Sequence, residues 1–428
     1  MRVATGPETS ERFARLSKVD IADIVENGAK ASFWRKNTPK HYEQLLRRLQ
    51  QSCYLDRADA PLTAQQRLID QYRRDGLVLF LGAGVSRGTS DCRIPNWEGL
   101  SELMLEEVHA PAPEKLDPND PCRVKKLLKR FDRVHECLPL DRREFWFLEK
   151  LYRCLYANFD QTVRALLRSI PKKREAQKGW PDWDKCRDAL ARNMSLAAVG
   201  DLLIIGDEDQ WRRNANIHAV LTVNADNLLE LYCRAKARGR RLVTQVDRAS
   251  VGDHPYAISV YHLHGTLDIR CENFSTRCSW WNDDLLPDVV FRTSEYEETE
   301  RCPFSFVNHT PLSYLQRLNI LFFGTSVDDQ NIVRWLRESY NERVEHRTKY
   351  LRELYRDKYG AARSEAEWET VRHFWLCNKT EGGRHRSQTE MEKVEREKRK
   401  LGVQIVWCED YGLDCLRQLK EKEIEFVS

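Results

Sequence analysis

Four short segments of this chain carry residue types able to bind or transform a small polar ligand. Gly82-Ala83-Gly84-Val85-Ser86 pairs two glycines with a hydroxyl. Glycines allow a tight turn and let backbone approach a pyrophosphate closely. Thr222-Val223-Asn224-Ala225-Asp226 sets an amide and a carboxylate two residues apart, leading into the amphipathic start Asn227-Leu228-Leu229-Glu230. His262-Leu263-His264-Gly265 places an imidazole beside a glycine, and an imidazole can act as a general base near neutral pH. Gly324-Thr325-Ser326-Val327-Asp328 offers small hydroxyls suited to ribose or phosphate. Each segment also has a plain structural account. Glycines make turns, Asn224 or Asp226 can cap a helix, His262 reads as a structural histidine, and Thr325-Ser326 can begin a capped turn.

What these segments share is the element before them. Residues 77–81, 219–223, 258–263, 289–291 and 320–323 are short continuous apolar runs, the pattern of strands buried on both faces of a parallel sheet. Residues 242–246, 373–377 and 403–407 are further candidates, and helical spacing separates most of the runs. Alternating strands and helices define an α/β domain, a Rossmann-type parallel sheet. All four segments then stand at carboxyl ends of strands, where open α/β sheets bind ligands. Strand alternation puts His262 and His264 on one side, with His264 facing the crevice.

Three regions lie outside the sheet. Residues 1–75 read as an N-terminal helical segment. It includes a helix at about 42–49 and another from Thr63 to the stop at Gly76. Residues 101–215 hold a helical insertion, because a structureless loop of that length is implausible. Its stretch 145–159, FWFLEKLYRCLYANF, is apolar enough to need a cover, which points to a homo-oligomer. Residues 328–428 form a helical and strand extension, in which 378–400 is a solvated loop and helix.

The chain has 428 residues, 41% hydrophobic and 32% charged, with formal net charge +4. That is a globular composition, and the charge is too small to argue for nucleic acid. No apolar run reaches the ~18–20 residues of a membrane span, and the start lacks the apolar core of a secretory signal. The 13 cysteines are scattered without a Cys-x-x-Cys pair. They read as reduced thiols of a cytoplasmic protein, packed as small hydrophobes.

The four segments in this order, with Ile94-Pro95-Asn96-Trp97 between the first two, resemble the sirtuin family over roughly residues 76–336. The segment from Val290 to Tyr296 and the Trp-bearing strands at 374–377 and 403–407 resemble the divergent branch known from bacterial antiphage defence more than the protein deacetylases. Two departures support that. The deacetylases' paired Cys-x-x-Cys zinc ligands are missing, leaving only Cys271, Cys278 and Cys302 in the corresponding region. Glu98 follows Trp97 where the deacetylase loop has arginine.

The resemblance implies an NAD-binding site. Ala83, Gly84 and Ser86 hold the pyrophosphate, and Thr325 and Ser326 lie near the adenosine half. Gly82, Thr222 and Gly324 complete the contact set, and Trp97 covers the nicotinamide. Asn224 contacts the nicotinamide ribose and positions a water, Asp226 binds the carboxamide, and His264 accepts a proton. The activity implied is an NAD hydrolase giving nicotinamide and ADP-ribose, with NAD as substrate and no metal, depleting NAD in antiphage defence. A protein deacylase or ADP-ribosyltransferase, and a non-catalytic NAD or ADP-ribose scaffold, are the alternatives. Implied partners are a DNA-translocating ATPase, an Argonaute-type protein or another defence component, with no membrane. A lid from Arg87 to Trp97, rich in Gly88, Thr89, Ser90 and Asp91, is expected to gate turnover.

Overall fold

The run at 77–81 folds as β1, Leu77–Leu81, with all five residues buried. A strand buried on both faces needs neighbours on both edges and cover on both sides. In the computed structural model both are present. It describes residues 63–87, 94–107, 126, 129–130, 132–133, 136, 140–170, 181–206, 210–247, 256–270, 289–291, 295, 297, 301–302, 304–326, 329–355, 371–381 and 384–427. The chain divides into two units, Met1–Leu62 and Thr63–Ser428. The helix expected at 42–49 therefore lies outside the described residues.

The other strands of the main sheet are β2 (Ile217–Thr222), β3 (Val243–Val246), β4 (Ile258–His262), β5 (Ile320–Phe323), β6 (His373–Asn378) and β7 (Val403–Cys408). Their order is β7-β6-β5-β1-β2-β4-β3, and every adjacent pair is parallel. The chain builds outward from β1 through β2, then returns to the other side of β1 for β5. The topological switch point therefore falls between β1 and β5, where sheets of this kind open a crevice.

One expected strand is missing. Val289, Val290 and Phe291 are buried but not part of the sheet. Val290 N–H donates to the His264 carbonyl at 3.0 Å, but the next amide, Phe291 N–H, turns to Glu295 Oε2 at 2.8 Å. Apolarity buried the run; a ladder also needs a partner for successive amides.

Twelve helices are described: α1 (Ala64–Asp75), α2 (Ala83–Ser86), α3 (Trp97–Glu107), α4 (Leu140–Leu155), α5 (Gln161–Arg168), α6 (Trp183–Ala191), α7 (Met194–Leu203), α8 (Leu228–Lys236), α9 (Phe306–Arg317), α10 (Gln330–Tyr355), α11 (Gln388–Arg399) and α12 (Leu413–Val427). α1 starts at a capping box between Thr63 and Gln66 and stops at Gly76. Leu77, Leu79 and Leu81 pack with α1, α3 to α8 and α12 in one core. Val78 and Phe80, on the opposite face, pack with α9 and α10 around Trp335 and Trp375. Sheet and helices thus form three layers. With Leu68 and Tyr72 in the first core, α1 belongs to the sheet's unit and not to a separate N-terminal segment.

The helical insertion is part of the same core. Phe147, Leu148, Leu151, Tyr152, Leu155, Tyr156 and Phe159 are all buried within the chain. The apolar face expected to need a second copy is therefore already covered. Residues 378–400 fold as a short hairpin, Thr380–Glu381 with Arg384–His385, followed by α11 behind its Ser387 cap.

Candidate active site

Strand register brings the four segments to one edge. Leu81 lies opposite both Thr222 and Phe323, and Thr222 lies opposite His262. The loops beginning at Gly82, Val223, Leu263 and Gly324 therefore leave the sheet at the same level.

At the switch point the two glycine loops close on each other. Gly82 N–H donates to Phe323 O at 3.0 Å, and Gly84 N–H donates to Gly324 O at 2.9 Å. A Cβ on Gly82 would sit 2.6 Å from Gly324 O, and one on Gly84 would sit 2.9 Å from Gly324 Cα. Gly324 has φ +67°, and a Cβ there would lie 2.8 Å from Val85 N. All three glycines are thus required first by contact between backbones. The amides of Gly82, Gly84 and Val85 are engaged within the protein, so this turn offers a phosphate fewer free N–H groups than the motif suggested. Thr325 Oγ1, by contrast, is buried with no hydrogen-bond partner. Ser326 is exposed, and Val327 and Asp328 lie outside the described residues.

At the ends of β1 and β2 the polar groups converge instead. Thr222 Oγ1 donates to Leu81 O at 3.1 Å and accepts from Asn224 N–H at 3.0 Å, so this hydroxyl is spent as a brace. Asn224 Nδ2 donates to Gly82 O at 3.0 Å and to Ser86 Oγ at 3.1 Å. Asn224 Oδ1 is buried and has no partner. Asp226, one residue before the N-cap Asn227, braces the start of α8 with one oxygen, Oδ1 accepting from Leu228 N–H at 3.1 Å, while Oδ2 is buried without a hydrogen bond. Complete burial raises the Asp226 pKa. The nearby Ser86 hydroxyl and the Leu228 amide oppose the rise without cancelling it, and Ser86 makes no well-formed hydrogen bond to Oδ2.

A small pocket, open at its mouth, lies over these groups. Its polar wall is Asn224 and Asp226. Ala83, Ile94, Pro95, Trp97, Leu100 and Leu155 supply the apolar remainder. An apolar pocket with two converging polar groups is the usual form of a small-molecule site. His264 does not line it. Its ring stands 5.8 Å from that of Trp97, and Trp97 in turn packs 5.2 Å from Phe291. His264 is only 3% exposed. Gly265 follows it at φ +77°, a left-handed turn suited to glycine, and Leu267 N–H then returns to Ala225 O at 2.6 Å. Of the expected lid, Arg87 and residues 94–97 are described; Gly88, Thr89, Ser90 and Asp91 lie outside the described residues.

The residues present fit NAD. A carboxamide brings N–H donors and ribose brings O–H donors. Asn224 Oδ1, Asp226 Oδ2, Thr325 Oγ1 and Thr266 Oγ1 are buried oxygens lacking hydrogen bonds. Among the described residues no group of three or more His, Cys, Asp or Glu is arranged to hold a metal, and Cys271 and Cys278 lie outside them. Burial pushes the thiols of Cys154 and Cys408 up to about 12, as expected of inert core cysteines. No helix of the described residues is long and apolar enough to cross a membrane.

Two contributors were not visible in the motifs. Glu230 on α8 reaches His262 Nε2 at 2.5 Å. A carboxylate among Leu228, Leu229 and Leu231 was the available signal, because a buried charge needs a partner. The second is α4, whose Leu155 lines the pocket and whose Phe147 packs 6.0 Å from Phe291. Nothing local in the sequence ties that helix to the site.

The fold is that of an α/β protein with a Rossmann-type parallel sheet and a pocket at its carboxyl edge. Residues 218–376 match the family described as SIR2-like domain. No curated protein matches the chain. The match supports the sirtuin-like resemblance and points to NAD-related chemistry. It spans Asn224, Asp226, His264 and Thr325 but begins after β1. The register of β1 against β2 and β5 joins Gly82 and Ser86 to the same sheet edge, and Trp97 meets it as part of the pocket lining.

Proposed function

We propose that this protein is an NAD glycohydrolase, cleaving the nicotinamide–ribose bond with water to give nicotinamide and ADP-ribose. The observation that carries this reading is the pair of open buried oxygens, Asn224 Oδ1 and Asp226 Oδ2, in a pocket roofed by Trp97. Asp226 accepts from the carboxamide and Asn224 orients the ribose and the attacking water. Ala83, Gly84 and Ser86 with Thr325 and Ser326 hold the rest of the dinucleotide. The bond from C1′ of the ribose to the nicotinamide nitrogen breaks, nicotinamide leaves as a neutral base, and the water oxygen bonds to C1′. His264 takes the water's proton and passes it to solvent. Positioning and electrostatics supply the rate enhancement.

Water is favoured as acceptor because His264 is buried beneath Trp97, which leaves little room for a peptide. The same contact favours regulation, since Trp97 must shift for His264 to meet the pocket. We read the isolated chain as slow, and its activation as assembly with further copies or with a defence partner such as a DNA-translocating ATPase. Depletion of NAD during infection is the corresponding role. Purified protein with NAD, followed for nicotinamide release with and without acetylated peptide, tests the activity. Release without peptide is expected; release only with peptide makes the protein a deacylase, and none under any assembly state leaves a binding scaffold.

A further inference from the structure

Asn224 is held at every polar group but one. Its N–H donates to Thr222, its Nδ2 donates to Gly82 and Ser86, and its carbonyl accepts from His262 Nδ1 at 3.0 Å. Gly82 O can only accept. Turning the side-chain amide over would set two oxygens against each other, so Oδ1 is left for the pocket.

His262 is the contact that invites explanation. Both ring nitrogens face groups that only accept: the Asn224 carbonyl at Nδ1, and Glu230 Oε1 at Nε2, 2.5 Å away. A neutral imidazole has one N–H and would point a lone pair at one of these oxygens. The geometry therefore calls for the doubly protonated ring. Glu230 on α8 and Asp226 on the loop after β2 are the charged groups facing it. Burial works against the charged ring, but Glu230, the Asn224 carbonyl and Asp226 outweigh it and raise the His262 pKa. Stability alone is a poor reason to keep such a pair. Buried ion pairs are often replaceable by apolar residues at no cost. This one sits two residues before His264 and bonds directly to the main chain of Asn224.

We propose that Glu230 and His262 are positioning residues, a charged clamp on the Asn224 carbonyl that keeps Asn224 Oδ1 turned into the pocket. The proposal rests on reading that pocket as the NAD site. Its sign is definite. The clamp is intact while His262 is protonated and is lost as pH rises through its raised pKa. Loss of the clamp sets the alkaline limb of the rate profile.

Two measurements on the full-length protein test this. The first is nicotinamide release against pH for wild type and Glu230→Gln. Glu230→Gln is expected to move the alkaline limb to lower pH. It is also expected to lower kcat by about ten- to a hundredfold at mildly alkaline pH, with little change in KM. An unmoved alkaline limb in a folded Glu230→Gln overturns the clamp. The second measurement needs no turnover and no folded variant at Glu230. Nitrogen-15 NMR of labelled histidines in the wild type, with His262→Gln used for assignment, reports the ring's protonation. Two protonated nitrogens at neutral pH are expected, and a neutral His262 ring overturns the proposal. Wild type that releases no nicotinamide while its His262 ring is doubly protonated refutes the hydrolase reading and leaves the clamp as observed.

Discussion

The two ends of the site are built on opposite plans. Between β1 and β5, Gly82 and Gly84 press against Gly324 until backbone meets backbone, and most polar groups there are satisfied within the protein. Between β1, β2 and β4, the residues are held apart around a hollow in which Asn224 Oδ1 and Asp226 Oδ2 stay open. The first end is a hinge-free weld that sets where the loops begin. The second bears the cost of unsatisfied buried groups, which a protein keeps where a ligand will satisfy them. Substitutions at the weld should therefore act on stability, and substitutions around the hollow on turnover.

The largest effect is expected at the hollow. Asn224→Ala and His264→Ala should each cut nicotinamide release by about two to four orders of magnitude while the protein stays folded. Release rates beside melting temperatures check this. Full hydrolysis by both variants at unchanged melting temperature would remove the assignment. At the weld the pattern reverses. Gly324→Ala demands a left-handed residue and an overlap 2.8 Å from Val85 N, and should cost at least about 2 kcal/mol in urea unfolding. A Gly324→Ala protein as stable as wild type would show that the two loops are not locked together.

Asp226 belongs to both plans, and pH separates its roles. Its folded pKa is raised by burial, so the folded state holds this proton more tightly than the unfolded chain. Stability should fall as pH rises from the ordinary carboxylate range, about 4, through the raised value. Asp226→Asn cannot titrate there. Its stability relative to wild type should therefore grow over that window, while its nicotinamide release drops. Urea midpoints of the two proteins at several pH values test the sign, and a constant difference would mean that Asp226 is not buried as described.

How much of this was legible beforehand follows the same division. Strand runs and the order of the four segments were enough to bring those segments to one sheet edge, because both are local patterns and the parallel strands end in register. Val289–Phe291 misled because apolarity reports burial and not pairing. The glycines were read as ligand contacts, and their prior duty to Gly324 depends on a pairing between residues more than two hundred positions apart. Glu230 escaped because it lies on a helix and its partner, His262, ends a strand far along the chain. The apolar stretch 145–159 was legible as a face needing cover, but not which surface covers it. The cover turned out to be α3 and the segment after His264 in this chain's own core.

That last point sets up the smallest effect. α4 and the residue just after it meet the segment after His264 through two hydroxyls: Tyr152 donates to Ile269 O at 2.7 Å and Tyr156 to Leu267 O at 2.6 Å. Both phenols are buried, and each bond is worth about 1 kcal/mol. If the insertion is only cover, Tyr152→Phe should cost that much stability and leave turnover alone. If it is part of the hollow, the loss should also reach the reacting end. Leu155 lines the pocket one turn along, and Phe147 touches Phe291, which touches Trp97. We expect the second outcome: Tyr152→Phe lowers kcat a few-fold at saturating NAD, with the melting temperature down by only a few degrees. The double variant with Tyr156→Phe should lower it further. An unchanged kcat in the double variant, despite the expected loss of stability, would confine the insertion to a packing role.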